Sequence, residues 1–357
     1  MKPARRILIY RLGSLGDTVV ALPALRLIAR AFPDAQRWVL TNFSVNSKAA
    51  PLATVLEGTG LVNGYIEYPI GLRDPVGLLR LRRRIRSFRP DVLVYLAAPL
   101  GRLRAWRDAL FFHLCGIRHL IGIPYDRDQQ RPFQMNDGRY EYEGARLVRC
   151  LEPLGDARLD APDAFDLGLS DKEHQTAVEV LGTLADGRPL LVASIGAKVD
   201  VKDWGDVSWG ALLTRLGKQL PGWGIAMLGA GEEWKRSEAL LANWPGARLN
   251  LCGQVSVRES AAVLTHARVY LGHDSGPMHL AAAVGTPCVA VFSSRNLPGE
   301  WFPYGDQHRV LYTLISCQGC GLETCIQRAK ACIRSITVDQ VEASVLELAK
   351  QPGLVGK

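Results

Sequence analysis

The sequence predicts an α/β protein built as two halves of comparable size, and three observations lead there. Short apolar runs alternate with longer amphipathic ones along the 357 residues, the alternation that builds parallel sheets. That alternation is interrupted between 156 and 173 by a loose acidic stretch, DARLDAPDAFDLGLSDKE. Each half then opens in the same way, with an apolar strand and a glycine-containing turn: RILIY before RLGSLGD, and LLVASI before GAKVDVKDW. A chain of this length is expected to divide between two cores. A composition 48% hydrophobic and 22% charged is that of an ordinary globular protein. No apolar run reaches the length of a membrane span, and the first residues lead into a strand rather than a signal-peptide core, so a cytoplasmic protein is expected.

In the first half, 6–10 reads as a strand, 11–17 as a glycine turn and 18–32 as a helix kinked by Pro23. The spacing of Gly13 and Gly16 is not G-x-G-x-x-G, and no acidic residue plainly follows at the ribose position, which argues against a dehydrogenase-type dinucleotide site. Asp17 has two readings: a charge favoured by the helix dipole, or a general base at the mouth of the sheet. Strands are expected at 38–41, at 61–68 on an edge, at 92–96 and at 121–124, with a polar turn and short helix over 42–50. Residues 78–88 form an amphipathic helix carrying five Arg. Arg102, Arg104 and Arg107 surround Trp106, which suits a cationic rim for an anionic acceptor or lipid headgroups; no recognised nucleic-acid module encloses them. Residues 126–142 read as a polar, mobile loop over the site.

In the second half, helices are expected at 174–184, 209–219, 234–243 and 256–265, with strands at 190–195, 224–228 and 249–252. The stretch ARVYLGHDSGPMHLAAAVGTPCVAVF, 267–292, packs strand, turn, helix, turn and strand into one βαβ unit. Gly285 sits where a C′ glycine belongs, and Pro287 prevents continuation. At the start of that helix unpaired N–H groups meet partial positive charge, the arrangement that binds phosphates at the carboxyl end of a parallel sheet. Gly276 lets a phosphate approach the backbone, while Ser275 and His279 add hydrogen bonds; the plainer reading makes Asp274 or Ser275 a helix cap. The two halves are expected to face each other across a cleft that holds the chemistry. A last helix is expected at 338–349.

The net charge of +8 is lopsided: residues 1–163 hold 25 Lys and Arg against 16 Asp and Glu. An anionic partner for this half is one reading and a solvated basic face the other. Cys317, Cys320, Cys325 and Cys332 are spaced C-x₂-C-x₄-C-x₆-C. Four thiolates at such spacing can close a structural site around zinc or iron, and the alternative is free buried thiols.

The opening RLGSLGDTVVALPALRLIARAFPDA, the IGAKVDVKDW loop, the GAGEE turn and the GHDSGPMHLAAAVGTPCVAVF unit, in this order, resemble glycosyltransferase family 9, the heptosyltransferase family of lipopolysaccharide assembly. The resemblance covers nearly the whole chain. It implies the GT-B fold: an acceptor-binding Rossmann-like domain over 1–165, a nucleotide-sugar-binding one over 166–336, and a helix in 337–357 that crosses back to the first. It implies an inverting transfer from a nucleotide sugar, typically ADP-L-glycero-D-manno-heptose, to an anionic glycolipid or glycan at the cytoplasmic face of the inner membrane, without catalytic metal and without a role for nucleic acid. Asp17 would then deprotonate the acceptor hydroxyl, with Gly13, Ser14, Gly16, Arg102 and Arg104 on the acceptor side. Lys202 would neutralise the donor phosphates, with Lys198 a competing candidate and Asp274, Ser275, Gly276 and His279 beside it. Glu232 or Glu233 would hold a donor ribose hydroxyl. The chain departs from the family pattern at Gly205, where a proline is common, at Pro277, and at Ser293-Ser294-Arg295, where many relatives have a glycine-containing turn. Those departures leave open another nucleotide sugar, or a non-catalytic sugar-nucleotide or lipid-binding relative.

Overall fold

The computed structural model describes residues 4–43, 50–69, 71–72 and 74–351. The short helix expected over 42–50 falls largely outside them; a helix follows at Leu52–Leu56. The chain forms two compact units, Met1–Gly168 and Leu169–Lys357.

The first unit carries strands β1 (Arg6–Tyr10), β2 (Gln36–Thr41), β3 (Gly64–Glu67), β4 (Val92–Tyr95) and β5 (His119–Ile121) in one sheet of order β3-β2-β1-β4-β5. Every pairing is parallel, with Ile7 opposite both Arg37 and Val92. Helices cover both faces of such a sheet, so its central strands read as unbroken apolar runs; β1 and β4 are buried almost throughout. The 18–32 helix is two, Leu15–Val20 and Leu22–Ala31, hinged at Ala21, with Pro23 in the first turn of the second. The unit ends later than 165 because the acidic stretch is tied to it. Arg26 Nη2 stands 3.3 Å from Asp166 Oδ2, and Arg30 donates to the Asp156 carbonyl.

The second unit carries β6 (Leu190–Ser194), β7 (Gly224–Met227), β8 (Arg248–Asn250), β9 (Val269–His273), β10 (Cys288–Phe292) and β11 (Arg309–Tyr312), ordered β11-β10-β9-β6-β7-β8 and again all parallel. β11 is absent from the sequence expectation: all four of its residues are half-buried, so its apolar signal is weak. The helix Asp171–Leu181 is capped by Ser170 and Glu173, and Val257–Thr265 by Ser256 and Glu259, each pair bonding reciprocally. The last helix, Val338–Lys350, sends Val341, Val345 and Leu348 into the core of this unit beside Trp209, Leu216 and Ile333. It is counted with the second unit, and its apolar face packs on that unit's own sheet.

Residues 126–142 are pinned rather than loose. Arg149 makes a two-pronged pair with Glu141 at 2.6 and 2.9 Å, donates to the Asp128 and Arg131 carbonyls, and lies over the Phe133 ring.

Candidate functional site

In each sheet the strand order reverses once, between β1 and β4 and between β6 and β9. Loops leaving the carboxyl ends of the strands on either side of such a reversal diverge and leave a crevice, where ligands of α/β proteins bind. Both conspicuous motifs of the sequence fall there.

In the first unit the chain leaves β1 at Tyr10 and enters 11–17. Arg11 is buried and spans the reversal: its guanidinium donates to the Leu96 carbonyl beyond β4 at 2.6 Å and to the Asp17 carbonyl at 2.5 Å. Gly13 gives its N–H to Asn42 beyond β2, at 2.9 Å. Asp17 Oδ2 accepts the Ser14 N–H at 2.8 Å and the Ser14 hydroxyl at 3.1 Å, so the acid does cap its helix. No hydrogen bond or ion pair among the described residues uses its other oxygen. Gly13 is required here: φ is +148°, and a β-carbon would lie 2.5 Å from the Asp17 β-carbon. Gly16 stands in the same helical turn, between capping residue and acid. Arg102 and Arg104 begin the helix Arg102–Leu114 after β4, exposed, with Arg102 donating to the Tyr125 carbonyl; among the described residues no hydrogen bond or ion pair joins either to the Asp17 turn. The sequence reading passed over Arg11, whose place between Tyr10 and the glycine turn was its only signal.

In the second unit the loop after β6 brings Lys202 to the turn after β9. Its ammonium lies 2.7 Å from Asp274 Oδ2 and 3.2 Å from the Asp274 carbonyl, with Asp274 buried and Lys202 largely so. Asn296 reaches the same carboxylate oxygen at 3.4 Å. Ser275 is the extended residue before helix Gly276–Ala283 and Pro277 sits in its first turn, where a missing N–H costs nothing, so this departure is absorbed locally. The Gly276 and Met278 N–H groups take no protein acceptor among the described residues. Gly285, at φ +80°, closes the helix as expected. His279 is buried, edge-on to Trp301.

What aims Lys202 is a set of residues the sequence reading did not single out. The His273 ring, fully buried, accepts the Trp204 N–H on Nε2 at 3.0 Å, which leaves Nδ1 to carry the proton toward the Gly196 carbonyl at 3.4 Å. Burial, working against the nearby Asp203 carboxylate, pushes this ring down to about 4, so it is neutral at physiological pH. Trp204 and His273 both pack edge-on against Trp209, and Trp204 donates its indole N–H to the Ile336 carbonyl. Arg236 bridges Asp203 at 2.9 Å and Asp206 at 2.6 Å. Against the penalty of burial, that guanidinium holds the Asp203 carboxyl below its ordinary value. Gly205 follows at φ +96°, a conformation closed to proline.

The two acids of the GAGEE turn separate clearly. Glu233 folds inward, accepts the Ala230 N–H at 2.9 Å and lies against Gly196, where a β-carbon would fall 1.7 Å from its carboxylate; Glu232 is exposed. Lys198 is exposed, without a partner among the described residues.

Cys317, Cys320, Cys325 and Cys332 line one cavity of about 70 Å³ together with Val201 and Ser294. All eight cysteines are free thiols. Among the described residues no three metal-ligating side chains stand close enough to hold one ion.

Residues 80–330, which include the Lys202 loop and the Asp274 turn, match the family model of glycosyltransferase family 9 (heptosyltransferase). The chain belongs to that family. It is 27% identical over 331 residues to lipopolysaccharide heptosyltransferase 1 of Pseudomonas aeruginosa, covering 90% of this chain and 87% of the relative. The fold resembles that of a family 9 glycosyltransferase from Veillonella parvula, with a TM-score of 0.71 at 18% identity over 97% of both chains. It also resembles the E. coli heptosyltransferase WaaC with ADP-2-deoxy-2-fluoro heptose, with a TM-score of 0.64 at 17% identity over 96% of this chain and 99% of that one. The chain is therefore a glycosyltransferase-family α/β protein of the GT-B type. No helix among the described residues is long and apolar enough to cross a membrane.

Proposed function

We propose that this family 9 chain transfers L-glycero-D-manno-heptose from ADP-heptose, with inversion, to an anionic glycolipid of the lipopolysaccharide core, working at a membrane surface. The observation that carries the reading is the Lys202–Asp274 pair at the start of helix Gly276–Ala283. It sets a fixed ammonium beside a turn whose Gly276 and Met278 N–H groups point to no protein acceptor. A diphosphate leaving group gains negative charge as the glycosidic bond breaks. A cation already held by a buried carboxylate, together with a helix N-terminus, meets that charge without reorganising. Asp274 orients Lys202, and the neutral His273 orients the loop that carries it. Glu233 is read as the acid that meets a ribose hydroxyl, a reading supported by its turning in against Gly196. In the first unit Asp17 is the base: one oxygen fixes its direction through Ser14 and the other is left for the acceptor hydroxyl. Leaving-group charge is thus assigned to side chains and backbone rather than to an ion.

A second reading, the same fold using another nucleotide sugar, rests on residues 293–295. Ser293 and Ser294 are buried, and Arg295 is committed to the Gly321 and Leu322 carbonyls.

Thermal shift with ADP-, GDP-, UDP- and CMP-linked sugars tests the donor. A ligand at a hundred times its dissociation constant stabilises the folded state by about 2.7 kcal/mol. ADP-heptose should shift wild type and Asp17→Ala but not Lys202→Ala. A shift by a different nucleotide sugar alone would replace heptose, and anomeric NMR of the product reports inversion.

A further inference from the structure

The helix Arg102–Leu114 is apolar on two opposite faces. Ala105, Ala109 and Phe112 are buried beneath it, while Leu103, Trp106, Leu110 and Leu114 are 88%, 59%, 60% and 55% exposed. At 100° per residue these four fall in one stripe about 16 Å long, opposite the buried set. Arg104 and Arg107 border the stripe on one side and Arg102 on the other. The neighbouring helix, Pro75–Phe88, is joined to it through Arg82, whose Nε donates to the Leu114 carbonyl at 2.8 Å. On its outer face Val76 and Leu79 stand exposed beside Arg80 and Arg83. Between residues 75 and 118 there are ten Arg and two acids, Asp91 and Asp108. Asp91 is occupied by the Arg5 and Arg6 backbone, and Asp108 by Arg107 and Tyr95.

We infer that this face of the first unit is a membrane-docking surface for a bilayer containing anionic lipids, with the Leu103–Trp106–Leu110–Leu114 stripe lying among the acyl chains and the arginines at the headgroup phosphates. The inference deepens the proposed placement at a membrane and rests on it. The ten arginines, set against two acids already paired within the fold, complement an anionic surface. A helix with one bulky apolar face, a tryptophan at its margin and Arg along both borders is the composition that lies in the plane of a bilayer surface.

The test is flotation of the full chain with vesicles of phosphatidylcholine alone and of phosphatidylcholine with phosphatidylglycerol at about 3:1, for wild type, Leu103→Glu/Leu110→Glu and Arg80→Glu/Arg83→Glu. Wild type should float with the anionic vesicles at least tenfold more than with neutral ones. The leucine variant should lose that recovery even at low salt, and the arginine variant should lose the preference for anionic lipid. Both should keep the thermal shift with ADP-sugar, so that loss of docking is separable from loss of the donor reading. Equal flotation of all three proteins would overturn the inference. So would a wild-type dimer in light scattering that the leucine variant alone dissociates, since the face would then meet a second copy of the chain.

Discussion

Lys202 Nζ and Asp274 Oδ2 stand 2.7 Å apart, joining the loop after β6 to the turn after β9 across the point where the strand order of the second sheet reverses. Lys202→Ala leaves a buried carboxylate without its cation, a loss that costs about 3 kcal/mol or more. The same change should lower kcat/KM by about 100- to 1,000-fold through the lost leaving-group charge. The double variant Lys202→Met/Asp274→Asn separates the two effects. Denaturant unfolding should return toward wild type while the rate stays low. Recovery of rate along with stability would show the pair to be only a structural tie.

Asp17 both caps a helix and stands as the proposed base, and its substitutions divide accordingly. Asp17→Asn keeps an oxygen for the Ser14 N–H and hydroxyl, so melting temperature should hold while turnover falls by about 100- to 10,000-fold. Asp17→Ala should also lose about 1 kcal/mol of cap stability. Gly13→Ala should behave like Asp17→Asn in turnover, because its β-carbon would displace the Asp17 side chain. Turnover near wild type in Asp17→Asn would reduce the acid to a cap.

Two buried histidines, His273 and His308, are pushed down to about 4 by burial. His308 Nδ1 accepts the Cys288 N–H, a bond that needs the neutral ring. Between about pH 6.5 and 4 the unfolded chain takes up protons that these folded rings refuse. Their contribution is therefore intact above 6.5 and is lost as pH falls through that window, at up to about 1.4 kcal/mol per pH unit for each ring. Urea unfolding across pH 7 to 4 should show this slope, and His308→Gln should remove about half of it.

Gly205→Pro should destabilise the second unit by about 3 kcal/mol or more, since φ +96° lies outside the proline range. Lys202 sits three residues away, so donor affinity should fall with it in titrations by calorimetry.

The eight thiols should divide in reactivity. Cys317, Cys320 and Cys325 are accessible, whereas burial raises the thiols of Cys115, Cys150, Cys252 and Cys288. Titration of the native protein with a thiol reagent should label the first three and spare these four together with Cys332, which is also buried. Elemental analysis of protein purified without chelator would show bound zinc or iron if the cysteine loop rearranges around an ion.

Most of the fold was legible in the chain because parallel strands buried on both faces write themselves as apolar runs, as RILIY, LLVASI and CVAVF do. β11 was not, because a half-buried edge strand carries no such run. The turns at Asp17 and Asp274 were also legible, since glycine and short polar residues between an apolar strand and a helix have few other uses. Sequence spacing alone cannot say which side chains meet across a gap of seventy residues. Lys202 with Asp274, His273 with Trp204, and Arg11 with Leu96 are decided by strand order, which sets the loops on either side of each reversal together. Which of Glu232 and Glu233 turns inward, and the packing of the last helix, were decided by tertiary structure, because only the folded sheet determines which way a turn faces and which apolar face is already covered.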